Sequence, residues 1–363
     1  MVNRPGLAFI FMSAVGAVTT AGSAVAGSPP ASGARADTVL VPEGRTELPG
    51  YSGDFDHFAV DLAGNRLFLA AEDHGTLEVF DLRTGSHLRT VAGFETPHSI
   101  FLVPQTHRVL VTDGSESVKL LDAQSLAPAG SIRLHPGADS IGFDGGSGHL
   151  YVVTGGKDVK LKESWLEEID PVLARKIGEV HLDAAHVEAM AVEQHGRHVY
   201  INITDRNYVA VIDKASRKVV AQWPIHGAAQ NALAQLDEAN RRLFIVARDP
   251  GTFIVLDSDS GAHIASLAAP QRVDGEIFDA ANRRVYAPGG EGYIGVYAEV
   301  DAGHFAELAQ VPSSVGAKTA ILVPELRRLY VAVSPGEAKS GGAIMWFAVK
   351  PVPASQGSAG ARP

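Results

Sequence analysis

The chain has 363 residues, no cysteine and a formal net charge of −10. The missing cysteine excludes disulfides, thiolate metal ligands, lipid attachment and covalent c-type haem. The acidic balance excludes generic binding to a nucleic-acid backbone, which needs a basic face, and with 45% hydrophobic residues a chain of this length can bury a large core.

Arg4, the apolar run LAFIFMSAVGAV from Leu7 and the small residues Ala24-Val25-Ala26 predict a secretory signal over residues 1–26. Ala34-Arg35-Ala36 offers a second cleavage site. The apolar run is too short and too rich in small residues to span a membrane, and no other run approaches spanning length. The expectation is therefore a periplasmic or secreted protein with no membrane span after cleavage. Residues 27–37 and the tail 351–363, rich in Gly, Ser, Ala and Pro, predict a disordered linker and a disordered end.

Between them runs a repeat. RLFLAAEDHGTLEVFDLRTGSHLRTVAG from Arg66 recurs as RVLVTDGSESVKLLDAQSLAPAGSIRL from Arg108, VYINITDRNYVAVIDKASRKVVAQWPIHG from Val199 and RLFIVARDPGTFIVLDSDSGAHIASLAA from Arg242. Weaker copies start at His149, Arg284 and Arg328. A period of about 43 residues holding several short strands is the signature of a propeller blade. Seven copies predict an all-β, seven-bladed β-propeller of four-stranded blades over residues 38–350.

Each unit opens on a hydrophobic strand such as FAVD, IFLV, IGFD or MAVE, and its third strand ends in Asp81, Asp122, Asp170, Asp213 or Asp257. A recurring Asp at a strand end reads as a turn residue that accepts backbone N–H bonds. Helix is nearly absent, with at most a turn or two expected between Ser164 and Arg175. The last unit lacks a fourth strand after IMWFAV. TVLVPEGRTELPG from Thr38 is placed to supply it and so to close the ring, covering edges that would otherwise invite aggregation.

Aligning the units on the residue that begins each first strand gives Asp56, His98, Asp139, Glu188, Ala232, Asp274 and Lys318, with Asn231 able to fill the place of Ala232. These side chains are expected to ring one mouth of the central channel. One reading converges Asp56, His98, Asp139, Glu188, Asn231 and Asp274 on one divalent cation, Ca²⁺ or Mg²⁺ through oxygen, or a transition metal through histidine. The other reading is a solvated polar mouth in which Lys318 balances the charge. His57, next to Asp56, is expected to turn toward the neighbouring blade by strand alternation.

Loops between second and third strands face the same mouth and include Glu72-Asp73-His74, Arg206 and Arg248. Two arginines near a channel can hold a carboxylate or phosphate group. The insertion from Gly155 to Trp165 is expected to arch over the mouth, with Trp165 either stacking on a ligand or packing at the surface. Its Lys157, Lys160 and Lys162 read as solvated. No GxSxG elbow, P-loop or HExxH motif occurs.

The segment YINITDRNYVAVIDKASRKVVAQWPIHG, from Tyr200 to Gly227, resembles the YVTN-type repeat of YncE-like seven-bladed propellers, with ValIleAsp at 211–213 and the following LysValVal as its best-matching parts. The resemblance implies fold and export, and extends in degenerate form over 38–350. Two functions follow as expectations. One is an envelope protein that binds a small molecule or a protein partner, but no nucleic acid, at the channel mouth. The other is a metal-dependent, lactonase-like hydrolase or lyase with His98 or His57 as general base.

Overall fold

In the computed structural model, residues 39–351 are described, apart from 116, 302 and 337–340. The expected leader 1–26, the segment 27–37 and the tail beyond 351 lie outside these residues. Twenty-eight strands form seven four-stranded antiparallel sheets. The sheets span 58–92, 97–133, 141–182, 187–224, 229–268, 277–312 and 317–349, and are numbered here as blades one to seven. The chain is a seven-bladed β-propeller.

The apolar faces of the blades dictate the ring. Side chains alternate across each strand, so both faces of a blade present apolar residues to a neighbour. Seven buried clusters result, one between each adjacent pair. Phe68, Val79, Ile100 and Val111 join blades one and two; Phe58, Leu69, Tyr330 and Ile344 join blades one and seven. This last cluster closes the circle.

The closing strand is Leu40–Leu48, paired with Gly342–Val349 from Leu40↔Val349 to Leu48↔Gly342. The register slips between Pro42 and Gly44. There Gly44 lies flat against the Trp346 ring, in space that a Cβ would occupy. N-terminal and C-terminal strands thus share one sheet, as the missing fourth strand of the last unit predicted.

The recurring Asp residues end their third strands and shape the turns that follow. Asp81 Oδ1 accepts from the backbone N–H of Arg83 and Thr84, at 3.0 and 2.7 Å. Asp122, Asp170, Asp213 and Asp257 do the same in their own blades. Their carboxylates are turn residues at the outer edge.

One element differs from expectation. Ser164–Asp170 is the third strand of blade three, not a helical turn; its residues alternate into the cluster between blades. The helical content among the described residues is confined to single 3₁₀ turns such as Glu72–His74 and Lys157–Val159. No helix among these residues is long and apolar enough to cross a membrane.

Candidate functional site

The ring of polar side chains is produced by a bulge repeated at the start of the first strands. In blade two the pairing jumps from Pro97↔Asp113 to Ile100↔Val111. In blade four it jumps from Val187↔Ile203 to Met190↔Ile201, and in blade seven from Ala317↔Val333 to Thr319↔Ala332. Blade one shows the same device: Asp56 N donates to Ala70 O at 2.9 Å, while Ala70 N donates to His57 O at 3.0 Å. In blade three Val153 is shared in this way by Asp139 and Ser140. A bulge places two residues opposite one and re-aims their side chains.

In blades one, three and four both residues of the bulge reach the lumen. Asp56 with His57, Asp139 with Ser140, and Glu188 with Ala189 all line a cavity of about 370 Å³ at this mouth. His57 faces the channel and not the neighbouring blade, because strand alternation does not hold across the bulge.

On one side of the cavity the groups are carboxylates and imidazoles. His98 Nδ1 lies 2.7 Å from Asp56 Oδ2 and 3.9 Å from Asp139 Oδ1. His57 Nε2 lies 3.4 Å from Asp56 Oδ1. Glu72, from the 3₁₀ turn after the second strand of blade one, completes the group. Within each of two sets, Asp56–His57–Asp139 and Asp56–Glu72–His98, one donor atom per residue lies within 4.8 Å of the others.

Their mutual charges set the protonation states. Burial pushes the Glu72 carboxyl up to about 8, with Asp56, Asp73 and Asp139 adding to the effect. Burial also lifts Asp139 to about 6, assisted by Asp56 and Glu188. Against the cost of burial, Asp139, Asp56 and Glu72 raise the His98 imidazole to about 10. Asp56 itself stays ionised: despite burial, His57, His98 and Lys318 hold it well below the usual carboxylate range. At neutral pH the cluster retains protons that its carboxyls would shed in water.

The other side is ion-paired. Arg248 donates to Glu188 Oε1 at 3.0 Å, to Asp274 Oδ1 at 2.8 Å and to the carbonyl of Val273 at 3.0 Å. Lys318 Nζ lies 2.8 Å from Asp274 and 2.9 Å from Asp54. His186 Nε2, 2.7 Å from Glu188, adds a further partner. With burial opposing, the His186 hydrogen bond and the Arg248 charge keep Glu188 below its ordinary range. Glu188 and Asp274 thus have cations of their own.

Asn231 does not join the ring. Its amide donates to Asn202 Oδ1 at 2.6 Å and to Tyr208 O at 3.1 Å, deep between strands, and Leu233 takes the lumen in blade five. Arg206 pairs with Asp183 at 3.1 Å on the exposed rim. Trp165 lies outside the cavity wall and stacks on His135, with ring centroids 4.0 Å apart and planes 7° from parallel. The insertion contributes Gly155, Gly156, Lys157, Asp158 and Val159 to the wall. Gly156 has φ 87 and ψ −173, a conformation open essentially to glycine alone.

The ring alignment missed Glu72 and His186, which lie outside the repeated first-strand position. Their signal was present in part: Glu72 belongs to a loop expected at this mouth, and His186 precedes Glu188 by two residues.

No protein-family profile matches the chain, and no curated protein sequence does. Among solved structures, the chain is similar to one in the crystal structure of the mitotic checkpoint complex, with TM-score 0.70 and 14% identity, covering 92% of this chain and 99% of that one. It is also similar to hydrazine synthase of Kuenenia stuttgartiensis, with TM-score 0.66 and 17% identity, covering 81% of this chain and 94% of that one. At these identities the likeness establishes the shared propeller fold.

Proposed function

We propose that this chain is an exported, YncE-like propeller that binds a small ligand or an envelope protein partner at its polar channel mouth, with one divalent cation as part of that site. The observation that carries the reading is the convergence of Asp56, Glu72 and Asp139 with His57 and His98 in two overlapping donor sets. Carboxylates crowded this closely need positive charge, supplied by protons or by a metal. The mixed nitrogen and oxygen donors favour zinc, manganese or iron over calcium and magnesium, which prefer oxygen alone. Glu188 and Asp274 lie outside the donor set, since Arg248 and Lys318 neutralise them.

Titration of the chelator-treated full chain with zinc and with manganese, followed by calorimetry, tests this. About one equivalent should bind, and His98→Ala or Asp56→Asn should weaken it about tenfold or more. Equal binding by these variants would place the metal elsewhere.

The Asp139 carboxyl, with its pKa lifted to about 6, favours a second reading. A group titrating near neutrality inside a cavity is suited to general acid–base work, with His57 or His98 in the same role, and a bound cation would polarise an ester or lactone carbonyl. Hydrolysis or elimination by the metal-loaded protein in a lactone and ester screen, lost in Asp139→Asn, would favour this reading over simple binding.

A further inference from the structure

At the far end of the channel lies a second cavity, of about 440 Å³, with a different chemistry. Its wall includes Phe58, Phe101, Phe143, Met190, Phe278 and Ile321. The Phe101 and Phe143 rings lie 5.0 Å apart. Among the residues that line it, only His57 and Glu276 are ionisable. His57 lies where the two cavities meet, because it lines both.

Glu276 is 5% exposed, and neither of its buried carboxylate oxygens has a hydrogen-bond partner. The Tyr297 hydroxyl, whose pKa the Glu276 charge helps to raise, donates instead to Ala268 O at 2.9 Å. A buried carboxyl without a partner costs stability whether neutral or charged. Packing alone would be served better by an apolar residue of similar volume.

We propose that this mouth is a binding site for a small organic cation with an apolar or aromatic body, anchored on Glu276. An ammonium supplies both the charge and the donors that Glu276 lacks. The phenylalanine faces supply cation–π contact and cover for the body of the ligand. The volume suits a small molecule, and aromatic and aliphatic side chains with a few polar groups among them, here Ser99, Ser140 and Gln235 beside Glu276 and His57, are the usual composition of such sites. Three side-chain torsions let the carboxyl swing from the wall toward a cation in the lumen. The site is independent of the metal reading at the opposite mouth.

Proton release accompanies binding. Burial pushes Glu276 up to about 8, so at pH 7 the free site holds a proton that a bound ammonium expels. Against the cost of burial, Asp56 and Asp139 raise the imidazole of His57, the other ionisable group on this wall, above its ordinary range.

Calorimetry of the full chain with 2-phenylethylammonium, in two buffers of different ionisation heat at pH 7, tests the site; 2-phenylethanol is the neutral counterpart. The amine should bind at least about tenfold more tightly than the alcohol and release close to one proton. Glu276→Gln should abolish both the preference and the release, leaving the alcohol unaffected. Equal affinity of the two compounds, binding of neither, or an amine preference that survives Glu276→Gln would overturn the proposal. The comparison on the unsubstituted chain stands even if the variant folds poorly.

Discussion

Glu72 carries the sharpest consequence at the scale of single residues. Its folded pKa of about 8 lies above that of an unfolded carboxyl. A raised pKa means stability that is full below the unfolded value and is lost as pH rises through 8. Glu72→Gln removes that loss, so the variant should gain melting temperature over the parent at pH 9 and gain little at pH 4. An equal shift at both values would place Glu72 outside the charged cluster. Arg248 tests the opposite wall. Arg248→Met leaves Glu188 and Asp274 short of a cation, and the expected cost is about 3 kcal/mol in denaturant unfolding. His186 and Lys318 keep it at the low end of that range. The first-strand alignment made Asp56, His98, Asp139, Glu188, Asp274 and Lys318 legible as a ring, because a polar residue at the start of an apolar strand stands out. Their division into a half of clustered carboxylates and imidazoles and an ion-paired half was not legible. It depends on Arg248, which arrives from the end of a second strand and reaches across to blades four and six.

Elements were easier to read than contacts. The period-two pattern and the recurring Asp placed the repeated strands, since each unit solves the same packing problem. The bulges were invisible, because one extra residue leaves no mark on a short strand. That is why His57 was assigned to the blade interface and not to the lumen. Around Ser164 to Arg175 the sequence allows at most a turn or two of helix, whereas Ser164–Asp170 extends as a strand buried between blades. The closing strand gives the element-scale prediction. Deleting residues 38–48 exposes the edge of Gly342–Val349 and removes Val39 and Leu40 from the cluster they form with Leu329 and Phe347. Such a chain should lose its cooperative thermal transition and elute as aggregate in size-exclusion chromatography. A monomeric, equally stable product would mean that the ring does not depend on that closure.

At the scale of the whole molecule, the ring turns a local bulge, repeated from blade to blade, into one chemical surface. Side chains far apart in sequence, from Asp56 to Lys318, meet around one axis because every blade begins its first strand at the same depth. The two ends of that axis differ. One holds carboxylates, imidazoles and a salt-bridge network; the other is lined by aromatic and aliphatic side chains, with Glu276 and His57 as its ionisable groups. Fold and repeat count could be read directly from the chain. Ligand chemistry could not, since a propeller hosts many functions and the decisive contacts cross between blades. The most direct test of the central claim is elemental analysis of residues 27–363 purified without tag or chelator. The account predicts about one equivalent of zinc, manganese or iron per chain, lost in His98→Ala. Absence of metal, even after soaking with each ion, would contradict it and leave the Asp56, Glu72 and Asp139 carboxyls balanced by protons and histidines alone.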